Sequence, residues 1–146
     1  FKVAATHQIP VYCLGAAPGV AQRAIDNVSA QVGVLNIAGI HDGFFDSAEE
    51  QEIIKSIAES KAKLVFVALG VPKQEQWIAE KLSHLNGVVA IGIGGSFDVL
   101  AGNIPRAPEW MQQNRLEWLY RLYLEPQRIG RMLAIPKFMW TVIRNK

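Results

Sequence analysis

The sequence lacks the residues that mark several common protein classes. Only one of its 146 residues, Cys13, is a cysteine, which excludes an internal disulfide. The three histidines, His7, His41 and His84, lie far apart, and no Cys/His spacing indicates a zinc site. No apolar run reaches the roughly 18 residues of a membrane-spanning helix. Cys13 stands in the apolar run PVYCLG and is predicted to be a small buried side chain.

Several catalytic signatures are also missing. No G-x-x-x-x-G-K-[ST] phosphate loop occurs, nothing indicates a Ser-His-Asp triad, and no D-x-D pair could hold a metal against a sugar nucleotide. We therefore expect neither a metal nor a cofactor. The chain begins at Phe1 and shows no signal-peptide pattern, so we expect a cytoplasmic setting and a fragment or processed product.

The composition is that of a globular domain with a basic C-terminal segment. Half of the residues are apolar and 19% are charged, which is not the balance of a disordered chain. The net charge of +2 is unevenly divided, because residues 115–146 hold seven basic and two acidic side chains. Basic segments bind phosphates, so nucleic acid, anionic lipid and a phosphorylated substrate all stay open as partners.

Short apolar runs alternate with helical segments along the first two thirds of the chain. These runs are Pro10–Leu14, Val34–Ala38, Leu64–Leu69 and Gly87–Ile93. Because they are continuous and rich in β-branched residues, they predict strands buried on both faces of a parallel sheet. Ser47 and Glu50 indicate a capping box, and Pro72 suits a first helical turn. We predict an α/β fold over residues 1–104, with a Rossmann-like, mostly parallel sheet and helices on both faces.

The pattern changes after Gly102, where prolines divide an aromatic and basic segment into helical pieces. Arg121, Arg128 and Arg131 recur at spacings of seven and three, which brings them near one helical face. Residues 105–146 are therefore predicted to form an all-helical basic appendage. Its arginines suit an anion site, and its mixture of basic and aromatic side chains suits a membrane surface. The alternative is a helix pair packed on the domain with its arginines in water.

Four turns follow the predicted strands, at the carboxyl ends where ligands bind in open α/β sheets. The first opens at Gly15 and either cradles a phosphate or is a plain tight turn. This turn lacks the full G-x-G-x-x-G spacing, and the next run is interpreted as closing at Ala38-Gly39 without an acidic residue, so we expect no dinucleotide fingerprint. The second turn is His41-Asp42-Gly43-Phe44-Phe45. It either stacks a base and accepts from a sugar hydroxyl through Asp42, or fills the core with its aromatic rings.

The third and fourth turns are richer in polar groups. In Gly70-Val71-Pro72-Lys73-Gln74, Lys73 could offset negative charge and Gln74 could donate to a sugar or phosphate oxygen. The alternative is that these polar residues only solubilise a first helical turn. Gly94-Gly95-Ser96-Phe97-Asp98 forms either a nest of N–H donors for a pyrophosphate or nucleoside, or a glycine turn packed tightly on the sheet.

Three longer motifs resemble the WecG/TagA/CpsF family of bacterial glycosyltransferases. They are GxPKQExW at Gly70–Trp77, GxGGSFDVLAGxxxRAPxW at Gly92–Trp110 and LEWLYRLxxEPxRxxR at Leu116–Arg131. The resemblance covers essentially the whole chain. It implies a metal-independent, inverting transfer of an N-acetylmannosamine-type sugar from a UDP donor to an undecaprenyl-diphosphate-linked sugar. It also implies a role in teichoic acid or exopolysaccharide synthesis.

The resemblance implies roles for individual residues. Gln74, Arg121, Arg128 and Arg131 correspond to residues of the catalytic centre, and Asp98 is implied to bind the donor instead of acting as the base. Together with the turns described above, the predicted substrate-binding residues are Gly15, His41, Asp42, Gly43, Phe44, Gly70, Pro72, Lys73, Gly94, Gly95, Ser96, Phe97 and Asp98.

The resemblance also implies partners and a location. The appendage reaches the membrane that holds the lipid acceptor, so we expect a peripheral protein at its inner face and no nucleic-acid partner. Family members are longer at the N-terminus and carry the base there, so we expect the donor half without it, beginning in the end of a helix at residues 1–6. A bare sheet edge favours homo-oligomers. The alternatives are a catalytically incomplete UDP-binding fragment and a basic peripheral membrane or nucleic-acid module.

Overall fold

The computed structural model describes residues 1–105, 107–124 and 144, and it divides the chain into two compact units, Phe1–Pro105 and Arg106–Lys146. The elements of the first unit are α1 (Lys2–Thr6), β1 (Val11–Gly15), α2 (Val20–Val32), β2 (Ile37–His41), α3 (Ser47–Glu59), β3 (Leu64–Ala68), α4 (Lys73–Trp77), a π-helical turn (Ile78–Leu82), β4 (Val89–Gly92) and α5 (Ser96–Leu100). The described helices of the second unit are α6 (Glu109–Gln113) and α7 (Glu117–Leu124).

The four strands form one all-parallel sheet in the order β2-β1-β3-β4. The chain moves outward from β1 to β2, and then crosses back to add β3 and β4 on the other side. The strand order therefore reverses between β1 and β3. In open α/β sheets this reversal opens a crevice at the carboxyl ends of the strands, which is where such folds bind ligands.

Helices cover both faces of this sheet. On one face Cys13 and Phe66 pack with apolar residues of α1, α2 and α5, among which Phe97 is fully buried. On the other face Leu14 and Val65 pack with residues of α3, α4 and the π-helical turn. Burying a side chain such as that of Phe97 contributes about 1.5–3 kcal/mol to folding. The predicted α/β fold, with a parallel sheet between two helical layers, is confirmed.

Cys13 lies at the centre of β1 and has no solvent exposure. Burial raises the pKa of its thiol to about 12, because the thiolate would lose its hydration in the apolar core. The prediction of a small buried hydrophobic side chain is confirmed.

The predicted second strand was wrong in its bounds. The strand spans Ile37–His41, three residues later than the apolar run, and Val34 is 78% exposed ahead of it. Gly39 lies inside the strand because the ring of Tyr12 occupies its side-chain space, where a Cβ on Gly39 would collide with the ring carbons. Asp42 therefore follows the strand directly. The prediction that no acidic residue ends this strand is wrong, whereas the missing G-x-G-x-x-G spacing still argues against a dinucleotide fingerprint.

The start of α3 also differs from the prediction by one residue. Asp46, not Ser47, is the N-cap, and its carboxylate accepts from the backbone N–H groups of Ala48 and Glu49. The Glu49 carboxylate accepts from the backbone N–H of Asp46 in return, which completes the capping box. Glu50, the residue predicted for this role, is left free for other contacts.

The helix that follows β3 starts later than predicted and ends in an irregular turn. Pro72 precedes α4 instead of lying in its first turn, and the Val71–Pro72 peptide bond is cis. After Trp77 the helix widens into the π-helical turn Ile78–Leu82. Such turns are rare and occur often beside functional sites.

The described part of the second unit is helical, as predicted for the appendage. Arg121 lies in α7, but its side chain is not among the described ones, and Arg128 and Arg131 lie outside the described residues. Among the helices that the structure describes, none combines the length and the apolar character needed to cross a membrane.

Candidate functional site

Backbone hydrogen bonds connect two of the predicted turns, those after β1 and β2, to the end of β3 at the carboxyl edge of the sheet. The N–H of Ala16 donates to the carbonyl of Ala68 at 3.1 Å, and the N–H of Gly43 donates to the carbonyl of Ala16 at 2.8 Å. Ala16 adopts a φ of 60°, an uncommon backbone conformation that is often found at functional sites. The turns after β1 and β2 and the last residue of β3 therefore form one connected edge.

Gly15 and Gly43 allow this close approach. A Cβ on Gly15 would lie 2.5 Å from the carbonyl oxygen of Ala68, and the φ of Gly15 is 122°. A Cβ on Gly43 would lie 3.2 Å from Gly15 Cα. The tight packing of the first turn is thus shown, while its predicted contact with a phosphate stays a prediction.

The turn after β2 is held by its own side chains. Asp42 Oδ1 accepts from the N–H of Phe44 at 2.9 Å, and Asp42 O lies 3.0 Å from His41 Nδ1. The two aromatic residues differ, because Phe44 is 74% exposed whereas Phe45 is half-buried against the second core. Phe45 therefore packs inward, as the second alternative has it, while stacking of the exposed Phe44 on a base stays a prediction.

An aromatic row connects this turn to α4. The ring centroid of Phe45 lies 6.2 Å from that of His41 and 6.4 Å from that of Trp77. The ammonium of exposed Lys73 lies 5.6 Å from the Phe45 centroid, within cation–π range. Lys73 thus lies near the carboxyl ends of β2 and β3, and its role in offsetting negative charge stays a prediction.

Gln74 links the third turn to the fourth. Its side chain is 2% exposed, its Oε1 accepts from the N–H of Gly94 at 2.9 Å, and its Nε2 donates to Glu75 Oε1 at 2.7 Å. Gly92 leaves room for this amide, since a Cβ there would lie 2.6 Å from Gln74 Nε2. The described contacts make Gln74 an organiser of the site, and its predicted donation to a sugar or phosphate stays a prediction.

The fourth turn leaves β4 with Gly94 at a φ of 54°. The hydroxyl of Ser96 donates to the carbonyl of Ile93 at 2.6 Å, so this hydroxyl has its hydrogen-bond acceptor within the turn. Phe97 is fully buried and anchors the turn in the core, while Asp98 is half-buried and accepts from Asn103 Nδ2 at 3.3 Å. Gly95 is half-buried just before α5.

Sequence reasoning missed several polar residues around this edge. Arg23, in the first turn of α2, donates to Asn103 Oδ1 at 3.3 Å, and Asn103 in turn contacts Asp98. A cation in the first turn of a helix opposes the helix dipole, and that mismatch was the one available signal. Glu50 was also missed, because its partners Trp77 and Lys81 come from a distant helix.

The environment of Glu50 changes the pKa of its carboxyl group. A hydrogen bond from Lys81 holds its pKa below the usual range, and a second from Trp77 acts the same way, against the opposing effect of burial. The same bridge raises the pKa of Lys81. Both side chains are therefore charged near neutral pH.

Other concave surfaces carry less of the predicted chemistry. Two open grooves run beside α3, and of the predicted site residues whose side chains the structure describes, only His41 lines either of them. Within residues 1–105 and 107–124 no group of three or more His, Cys, Asp or Glu side chains could hold a metal ion. The expectation of a reaction without metal stays a prediction.

Comparison with known proteins gives one consistent family. The chain is 42% identical over 137 residues to a protein of Bacillus spizizenii (strain ATCC 23059 / NRRL B-14472 / W23), and 40% identical over 136 residues to one of Bacillus subtilis (strain 168). Each match covers 93% of this chain and 52% of the relative. A protein of Staphylococcus aureus (strain NCTC 8325 / PS 47) is 34% identical over 145 residues, which cover 99% of this chain and 56% of the relative.

All three relatives are named N-acetylglucosaminyldiphosphoundecaprenol N-acetyl-beta-D-mannosaminyltransferase. The chain spans about half the length of these curated relatives. The sequence model of the glycosyl transferase WecG/TagA/CpsF family matches residues 1–146. The chain therefore belongs to the WecG/TagA/CpsF family of glycosyl transferases.

Proposed function

We propose that this chain is the donor-binding part of a glycosyltransferase that moves an N-acetylmannosamine-type sugar from UDP to an undecaprenyl-diphosphate-linked sugar. The observation that carries the proposal is the connected edge at the carboxyl ends of β1, β2 and β3, which Gln74 ties to the end of β4. The names of the relatives support the transferred sugar and the lipid acceptor. The UDP part of the donor rests on the motif resemblance.

The proposed reaction is a direct displacement at the anomeric carbon. An acceptor hydroxyl forms the new C–O bond as the bond to the UDP oxygen breaks, and that bonding pair leaves on the diphosphate. The hydroxyl proton passes to a base, which we propose lies outside the residues of this chain. Negative charge grows on the leaving diphosphate, so cationic and N–H donors stabilise the transition state more than the bound substrate.

Lys73 is the described cation best suited to this task. Its ammonium stands at the carboxyl end of β3, beside the aromatic row of His41, Phe45 and Trp77. Arg121, Arg128 and Arg131 are proposed to add charge from the appendage. Removing one donor of this kind costs about 3–4 kcal/mol of barrier in comparable oxyanion sites.

We further propose that the enzyme works as a peripheral protein at the inner face of the cell membrane. The net charge of +5 in residues 115–146 supports this location, because polybasic segments bind anionic lipid. The self-association expected from the sheet edge belongs to the same proposal.

A second candidate is a UDP-binding unit without catalysis, which is favoured by the coverage of only half of each relative. Thermal unfolding with excess UDP, and with ADP as control, tests the part that both candidates share. A rise in midpoint with UDP alone supports the donor site, because a ligand that binds only the folded state stabilises it. An equal response to both nucleotides, or none to either, contradicts it.

Turnover separates the two candidates. UDP release in the presence of the sugar donor and the lipid acceptor supports the transferase, whereas UDP binding without release supports the binding unit. A basic membrane module predicts liposome binding that is strongly salt-dependent and insensitive to UDP.

A further inference from the structure

Both carboxylate oxygens of Glu50 are occupied by one helical segment. Trp77 Nε1 donates to Glu50 Oε1 at 2.8 Å, and Lys81 Nζ lies 2.9 Å from Glu50 Oε2. The Glu50 side chain is 18% exposed and that of Lys81 is 30% exposed, so the bridge is partly shielded from solvent. A charged group with two partners in fixed directions is more geometrically specific than a surface ion pair.

The spacing of the two partners explains the arrangement. Trp77 ends α4 and Lys81 lies four residues later in the π-helical turn, and both side chains reach Glu50 of α3. Because Asp46 and Glu49 form the capping box of α3, Glu50 is not needed there and can cross to this neighbouring segment. The carboxylate thus joins the helices that follow β2 and β3.

Trp77 connects this bridge to the candidate donor site. Its ring is 5% exposed and packs beside Phe45, and the Phe45 ring is flanked by His41 and by the ammonium of Lys73. A rotation or retreat of the indole would remove the support of Phe45. The two site residues that contact this ring would then lose their common support.

We propose that Glu50 is a positioning residue of the donor site. Its carboxylate fixes the indole of Trp77 against Phe45. The Phe45 ring in turn keeps the side chains of Lys73 and His41 in place at the ends of β3 and β2. The inference rests on the proposed function for the identity of the ligand, a uridine diphosphate sugar. Glu50 itself contacts protein groups and has no part in the chemical step.

The test compares Glu50→Ala with Glu52→Ala, a control at an exposed position of the same helix. The first readout is amide hydrogen exchange over residues 41–46 in the two folded variants. We expect exchange there to rise at least tenfold in Glu50→Ala and to stay at the wild-type rate in Glu52→Ala. Glu50→Gln, which keeps an acceptor for the indole, should lie nearer to wild type.

The second readout is a double-mutant cycle on the dissociation constant for UDP. Glu50→Ala should raise this constant about tenfold in the wild-type background, and much less in a Lys73→Ala background, because Glu50 acts through Lys73. A purely structural role predicts a lower melting temperature with the same effect on UDP binding in both backgrounds.

The outcomes separate the inference from the proposed function. Wild-type exchange over residues 41–46 in Glu50→Ala overturns the positioning role, and so does a UDP effect that is independent of Lys73. If the wild-type chain shows no response to UDP while exchange rises as expected, the proposed function fails and the positioning of the loop by Glu50 stands.

Discussion

Gln74 Oε1 accepts a hydrogen bond from the backbone N–H of Gly94, and this side-chain contact adds to the backbone hydrogen bond from Ile93 to Val67 that joins the ends of β3 and β4. The amide lies against Gly92, where a side chain would collide with it. A glutamine that the sequence predicts as a ligand-binding residue is thus also the group that fixes the glycine turn beside it.

Gln74→Ala should therefore damage both stability and binding. The substitution leaves the N–H of Gly94 without its partner in a partly buried position, so we expect a loss toward the lower end of the about 1–3 kcal/mol typical of a buried donor. Urea unfolding and UDP titration measure the two effects. Gln76→Ala, at an exposed position of the same helix, should change neither. A Gln74→Ala protein with wild-type stability would show that the Gly94 contact contributes nothing.

Gly15→Ala tests the close approach of β1 and β3 beneath the site. The new Cβ would meet the backbone of Ala68 at 2.5 Å, and the φ of 122° is itself strained for alanine. Gly33→Ala is the matched control, because Gly33 has a φ of 95° and a Cβ added there would meet nothing within 4 Å. Backbone strain alone costs about 1–3 kcal/mol.

We expect Gly15→Ala to lower the free energy of unfolding clearly more than Gly33→Ala, as measured by urea denaturation. The difference between the two losses of unfolding free energy measures the cost of the collision with the backbone of Ala68. Equal losses in the two variants would mean that the sheet relaxes around Ala68 without cost.

The sequence was sufficient for the strands and layers but not for their ends. Continuous apolar runs predict a parallel sheet well, since both faces of each strand must be buried. The bounds predicted from the apolar run at Val34 were wrong because a glycine normally ends a strand. Gly39 instead continues the strand under the ring of Tyr12. That ring belongs to another strand, so no local pattern could reveal it.

The candidate site divides in the same way. Its glycine turns and its polar first helical turn are local sequence signals, so the sequence alone singled out Gly15, Lys73 and Gly94 as candidates. Glu50 was assigned to a cap because Ser47 and Glu50 fit that motif, although Asp46 and Glu49 fit it one residue earlier. Its partner Trp77 is remote in sequence, and only the packing of α3 against α4 brings the two together.

The bridge from Lys81 to Glu50 predicts a defined dependence of stability on pH. The folded pKa of Glu50 lies below its unfolded value, so the bridge stabilises the protein above the unfolded pKa and is lost as pH falls through the folded one. The stability difference between wild type and Glu50→Gln should be full at pH 7 and shrink below about pH 4.3.

Urea unfolding at a series of pH values checks this expectation, with Glu52→Gln as the exposed control on α3. A difference that stays constant from neutral to acidic pH would contradict the shift. If the stability of Glu52→Gln changed with pH in the same way as that of Glu50→Gln, the effect would come from net charge and not from the bridge.

The outer edge of β4 predicts self-association. This strand is last in the sheet order of the described residues, and its Val89 and Ile91 side chains are 60% and 42% exposed. Exposed apolar edge strands pair with other chains, and an edge lysine suppresses that pairing. Ile91→Lys should lower the association seen by sedimentation at increasing protein concentration.

Val34→Lys is the control for this experiment, because Val34 is 78% exposed ahead of β2. If Ile91→Lys and the wild type associate to the same extent, the contact between chains lies on another surface. A wild-type chain that stays monomeric at every concentration would contradict the prediction itself.

The ties among the four turns restrict how specificity can change in this family. Gly43 is bound to Ala16, Ala16 to Ala68 at the end of β3, and Gly94 to Gln74, so each of these turns is hydrogen-bonded to a neighbouring turn or strand end. A loop grafted alone from a relative with another donor sugar would arrive without the backbone partner that shapes it. Adjacent loops should therefore be exchanged in pairs, both by an engineer and by natural recombination.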